Sequence, residues 1–138
     1  MNRLKNTFPI YLFLLVIAAS CSSDESGEEG INPVDPPTAA TLIFPENNTE
    51  CNEGVIISDT ETDVLFQWQD ATNATSYILK VKNLNDGTSR TISTLSNEFL
   101  LRILRGTPYS WSVISLASDT TETTESVVWK FYNSGLPQ

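Results

Sequence analysis

Two thiols, Cys21 and Cys51, are the strongest intrinsic nucleophiles of this 138-residue chain, and it has no histidine to activate them. Without imidazole, Ser-His-Asp and Cys-His nucleophile systems are excluded, and so are the usual histidine-containing zinc sets. A general base would have to be a carboxylate, a lysine or a tyrosine. The six glycines stand singly, so there is no glycine-rich loop to cradle a phosphate. The reading is of a protein that is not an enzyme and uses no cofactor. Glu50 and Glu53 flank Cys51 and oppose formation of its thiolate, so it reads as a half-buried, inert residue in a loop after the first strand. Pairing with a partner's thiol is the alternative.

Three carboxylates alternate in Asp59-Thr60-Glu61-Thr62-Asp63, a spacing that a hard cation such as calcium can use. The pattern fails as a helix-loop-helix calcium loop, because Val64 takes the glycine position and Asp70 the position of the bidentate glutamate. A solvated strand face is therefore expected, with no metal, and Asp59, Glu61 and Asp63 are the residues to watch. Asp119-Thr120-Thr121 lies in the acidic run Ser118–Ser126, which reads as a loop between two late strands. Those three residues are the ligand-binding candidates, since such loops often carry contacts.

What must position these residues begins with targeting. Arg3 and Lys5 precede an apolar run from Phe8 to Ala19, and small Ser20 precedes Cys21. That order is a secretory signal, and the run is shorter than the roughly 20 residues a membrane span needs. Ala18-Ala19-Ser20-Cys21 resembles the bacterial lipobox, with Ala18 where leucine is usual. The resemblance implies cleavage after Ser20 and a lipid on Cys21. Several acyl chains, at about 0.8 kcal/mol per buried methylene, hold a protein to a membrane almost irreversibly. An ordinary secretory signal with a coincidental cysteine is the alternative. Loss of Arg3 and Lys5 leaves 6 basic against 17 acidic residues, a net charge of −11. Such a surface repels phosphate backbones, so no nucleic-acid partner is expected.

Behind Cys21, the acidic stretch Ser22–Gly30 and prolines 33, 36 and 37 form nothing that can bury a face, and a flexible tether is expected. Ser22-Ser23-Asp24-Glu25 resembles the export signal of Bacteroidota surface lipoproteins, which implies the outer face of the outer membrane. A plain solvated charge run, with the domain on the periplasmic face, is the alternative. Asp119-Thr120-Thr121 likewise resembles the O-glycosylation motif of exported proteins from that group, which would place a glycan on Thr120.

From Thr41 the pattern changes to short runs of period two. Val64, Phe66 and Trp68 form one stripe, Tyr77, Leu79 and Val81 a second, and Phe99, Leu101 and Ile103 a third. Tyr109, Trp111 and Val113 form a fourth and Val127, Trp129 and Phe131 a fifth. Stripes of this kind face one another across two sheets. Asp86-Gly87 marks a hairpin, Ser89–Thr94 reads as a polar edge strand, and Val55-Ile56-Ile57 as a short continuation of the first strand. The expected fold is an all-β, seven-stranded antiparallel β-sandwich. Residues 1–20 are the signal, 21–38 the tether and 39–134 the domain.

Within this frame the run Ile103-Leu104-Arg105-Gly106-Thr107-Pro108-Tyr109 resembles the corner of fibronectin type III domains. Trp68 stands where that family has its strand B tryptophan, and Tyr77 opens strand C. Arg105 replaces the usual proline and Ile103 the usual leucine. The resemblance, covering Ala39 to Asn133, implies that the Tyr109 hydroxyl bonds to backbone while its ring lies in the core. A generic immunoglobulin-like sandwich remains open. The functional expectation is a lipid-anchored module with a protein or glycan partner at the cell surface. The alternative is a structural accessory subunit of an outer-membrane complex.

Overall fold

Alternation of apolar and polar side chains over four to ten residues produces strands with one buried face, and these strands build the protein. The structure, a computed structural model, describes residues 35–51 and 54–134. The signal, Cys21 and the tether up to residue 34 lie outside them. In chain order the described strands are β1 (Thr41–Phe44), β2 (Thr49–Cys51), β3 (Val55–Ile56), β4 (Glu61–Gln69), β5 (Ser76–Asn83), β6 (Ser89–Thr94), β7 (Glu98–Leu104), β8 (Thr107–Leu116), β9 (Thr123–Glu125) and β10 (Trp129–Asn133). No helix occurs among the described residues.

Two sheets face each other. In the first, β7 pairs along one edge of β4, while β1 and β3 share the other edge at Gln67–Gln69 and Thr62–Asp63. Val55–Ile56 thus continues the first strand's edge, as its sequence suggests. The second sheet has the order β2-β10-β8-β5-β6, with β9 also on β8. Seven longer strands carry the sandwich expected from the stripes, and three short ones (β2, β3 and β9) add two or three residues each. Pairing is antiparallel except where β2 runs parallel to β10.

The stripes meet between the sheets. Val64, Phe66, Leu79 and Val113 are fully buried, and Trp68 and Trp111 nearly so. Phe66 sits edge-on to Trp111 at 5.2 Å and to Phe131 at 5.8 Å, and Trp68 edge-on to Tyr77 at 5.6 Å. Each such pair contributes about 0.5–1.5 kcal/mol beyond the area it buries.

Four expectations are corrected. Val127 is exposed, because Ser126 takes its place against β8: its backbone N–H donates to the Val113 carbonyl and its Oγ accepts from the Val113 N–H. The ladder resumes only at Trp129, which is half-buried. The acidic run is not one loop, since Thr123–Glu125 pairs with β8. Cys51 is a core residue rather than a half-buried loop residue, at 3% exposure, because β2 docks on β10 and turns it inward. Asp35–Thr38, placed in the tether by composition, packs on the sandwich. Pro37 is fully buried, Thr38 N–H donates to the Thr72 carbonyl, and Thr38 Oγ1 accepts from the Thr72 N–H.

Candidate functional site

The corner between β7 and β8 fixes one end of the second sheet. Gly106 there has φ of 62°, a left-handed conformation that favours glycine. The Leu104 N–H donates to the Tyr109 hydroxyl at 2.9 Å, and the Tyr109 ring stacks on Phe131 at 5.7 Å. Burial raises the Tyr109 phenol above its ordinary pKa, so it stays neutral and is a structural group rather than a base. Asn133 closes the same corner by donating from Nδ2 to the Leu104 carbonyl at 2.7 Å.

Beside this corner the outer face of the second sheet is hollowed. Parallel pairing of β2 with β10 sets Glu50 opposite Tyr132, and antiparallel pairing sets Tyr132 opposite Pro108. With Asn48, Leu84 and Lys130, these residues line an open groove of about 440 Å³. Tyr132 is 42% exposed, and Leu84 and Pro108 supply further apolar surface. Asn48, in a left-handed conformation, caps the adjoining strand by donating its N–H to the Lys130 carbonyl, and Asn47 Oδ1 accepts from the Lys130 N–H. Glu50 Oε1 accepts from Ser134 Oγ at 2.9 Å. An aromatic ring framed by amide, carboxylate and ammonium groups can stack a flat apolar face and hydrogen-bond its polar rim.

Position relative to the chain's entry is the second property of the groove. Asp35–Thr38 enters beside Thr72, next to the end of β8 at Leu116, whose carbonyl accepts from Thr75 N–H. The groove lies at the opposite end, by Pro108. Eight residues of β8 separate the two, about 26 Å at ~3.3 Å per residue.

The residues singled out in the sequence lie elsewhere. Asp119, Thr120 and Thr121 form the turn between β8 and β9, at the entry end. Asp119 accepts from Ser118 Oγ at 2.7 Å, and the half-buried Thr120 uses its Oγ1 to accept the Glu122 N–H. Asp59, Glu61 and Asp63 do not converge. Ser58–Thr60 is a turn, Glu61 opens β4, and Asp63 binds Arg102 through two bonds of 2.8 and 3.1 Å. That bidentate hydrogen bond holds the Asp63 carboxyl below its ordinary pKa. Among the described residues, no group of three histidines, cysteines or carboxylates gathers to hold a metal. Cys21 lies outside the described residues.

The sequence reading missed Tyr132, although a signal was present. Lys130 and Tyr132 form the outward stripe of β10, and an exposed aromatic beside a lysine on an outward stripe is unusual enough to mark a surface.

No protein-family model matches the chain, and no curated protein matches it. Solved structures with a similar fold include the solution structure of the fn3 domain of human collagen alpha-1(XX) chain. It is 22% identical over 75% of this chain and 88% of that one, with a TM-score of 0.49. The crystal structure of an Fn3-like protein from Clostridium thermocellum is 21% identical over 74% of this chain and 95% of that one, at a TM-score of 0.44. The class itself follows from strand order and corner: an all-β, two-sheet sandwich of fibronectin type III or immunoglobulin-like form.

Proposed function

We propose that this chain is a non-enzymatic envelope lipoprotein. It is held to the outer membrane by lipid on Cys21 and displays its sandwich at the cell surface for protein or glycan contacts. The observation that carries this reading is the position of the Tyr132 groove, at the end of the domain opposite the point where the chain enters from the tether. An anchored module meets its partner on the side away from its anchor. The lipobox-like run and the acidic cluster behind it support the anchor and the outer face, and the net charge of −11 past residue 20 supports solubility of the tethered chain. The test is metabolic labelling with a fatty-acid probe. The wild-type chain takes up label and sediments with membranes, and Cys21→Ser takes up none and is released. Label that persists in the variant refutes the anchor.

A second reading, the accessory subunit of an outer-membrane complex, is favoured by the outer face of the first sheet. Leu65 stands opposite Leu100, and Ile43, Val55 and Leu100 are 44%, 61% and 54% exposed. Gln67–Glu98 on one side and Asp63–Arg102 on the other frame this strip. Co-purification of a stoichiometric partner that protects these residues supports this reading. A monomer in native gels of solubilised membranes refutes it.

A further inference from the structure

The cations of this acidic chain are unevenly placed. Past residue 20 there are six. Arg102 binds Asp63 and Lys80 binds Glu125, while Arg90 donates to the Arg102 carbonyl and Arg105 to the Ser134 carbonyl. Lys82 and Lys130 have no carboxylate partner among the described residues. Both stand opposite Ser110, one from β5 and one from β10, so they flank it in a single row across three strands. Two interstrand spacings place their Cα atoms roughly 10 Å apart. Tyr132 follows Lys130 by two residues and therefore shares its face. With carboxylates in such excess, two neighbouring ammonium groups left without a carboxylate partner stand beside an exposed aromatic ring and a groove whose one lining carboxylate, Glu50, accepts from Ser134.

We propose that this face binds an acidic polysaccharide built from uronic acids. A pyranose ring lies on the Tyr132 ring, its hydroxyls reach Asn48 and Glu50, and carboxylates of neighbouring sugars meet Lys130 and Lys82. The apolar C–H face of a pyranose matches an aromatic platform, and the groove's open, polar-rimmed shape suits a sugar better than an apolar anchor. Charge complementarity selects an acidic sugar over a neutral one. The assignment rests on the proposed role as a displayed binding module and names its ligand class.

The test uses the full-length protein purified in detergent micelles and titrated calorimetrically with hexagalacturonate. Neutral cellohexaose and hexaglutamate serve as comparisons. Hexagalacturonate binds, and its affinity falls about tenfold or more in Tyr132→Ala and in the Lys82→Gln/Lys130→Gln double variant. Tyr132→Phe keeps the platform and the affinity, and all variants keep the wild-type melting temperature. Equal binding of hexaglutamate reduces the effect to bulk charge and overturns the proposal. Equal binding of cellohexaose overturns the acidic subsite, and an unaffected Tyr132→Ala overturns the groove. No binding by a protein that intact cells still display removes the ligand and leaves the display reading standing. Binding by a protein that is not displayed does the reverse.

Discussion

Replacing Tyr109 by phenylalanine isolates one hydrogen bond at the corner that shapes the groove. The ring is 5% exposed and stays stacked on Phe131, so packing is retained and the Leu104 N–H loses its acceptor at 2.9 Å. A partly buried donor left unsatisfied costs about 1–3 kcal/mol. Leu104 is itself 46% exposed, so water recovers part of that loss and about 1–2 kcal/mol is expected. For a domain of about 100 residues this lowers the melting temperature by roughly 5–15 °C. Urea unfolding followed by tryptophan fluorescence measures it, with a lower midpoint and an unchanged slope. Tyr132→Phe, on the surface, stays within about 0.5 kcal/mol of wild type. If Tyr109→Phe is as stable as Tyr132→Phe, the corner bond does not hold the sandwich and the reasoning fails.

Other perturbations follow from the same structure. Leu79→Ala empties a site with no exposure and costs about 2–5 kcal/mol in the same assay. Gly87 has φ of +77° with no atom within 4 Å of an added Cβ, so Gly87→Ala costs about 1 kcal/mol through backbone conformation alone. Burial raises the Tyr77 and Tyr109 phenols above 10.0 in the folded chain. Their contribution is intact below the unfolded pKa of ~10 and is lost as pH climbs through the raised values. Melting temperatures measured from pH 8 to 12 should fall steeply at the alkaline end, and a flat profile contradicts the burial. Cys51, at 3% exposure, reacts with an aromatic disulfide reagent only as fast as the protein unfolds, and rapid reaction in native buffer contradicts its place in the core.

Four of the five apolar stripes were legible in the sequence because period-two alternation survives wherever a strand pairs along its whole length. Val64 to Trp68 does so against β7 and β1, and Tyr77 to Val81 against β6 and β8. The fifth stripe failed at Val127, where the Ser126 hydroxyl replaces a ladder bond, an event that leaves no periodic trace. Thr123–Glu125 looked like loop because its polar side chains give no apolar face. What holds Glu125 on the sheet is Lys80 at 2.9 Å and Ser112 at 2.6 Å, from strands 45 and 13 residues away. The groove was illegible for a related reason: it exists only because β2 docks parallel to β10, some 80 residues on, and no local pattern encodes that pairing. The Asp119–Thr121 and Asp59–Asp63 motifs were visible as sequence, but their side chains are directed to turns and to Arg102.

The claim that this sandwich is displayed outward from a lipid anchor is tested most directly by protease treatment of intact cells. The account predicts that the domain is digested before the outer membrane is permeabilised, while a periplasmic control protein remains whole. A domain that resists protease until permeabilisation contradicts it.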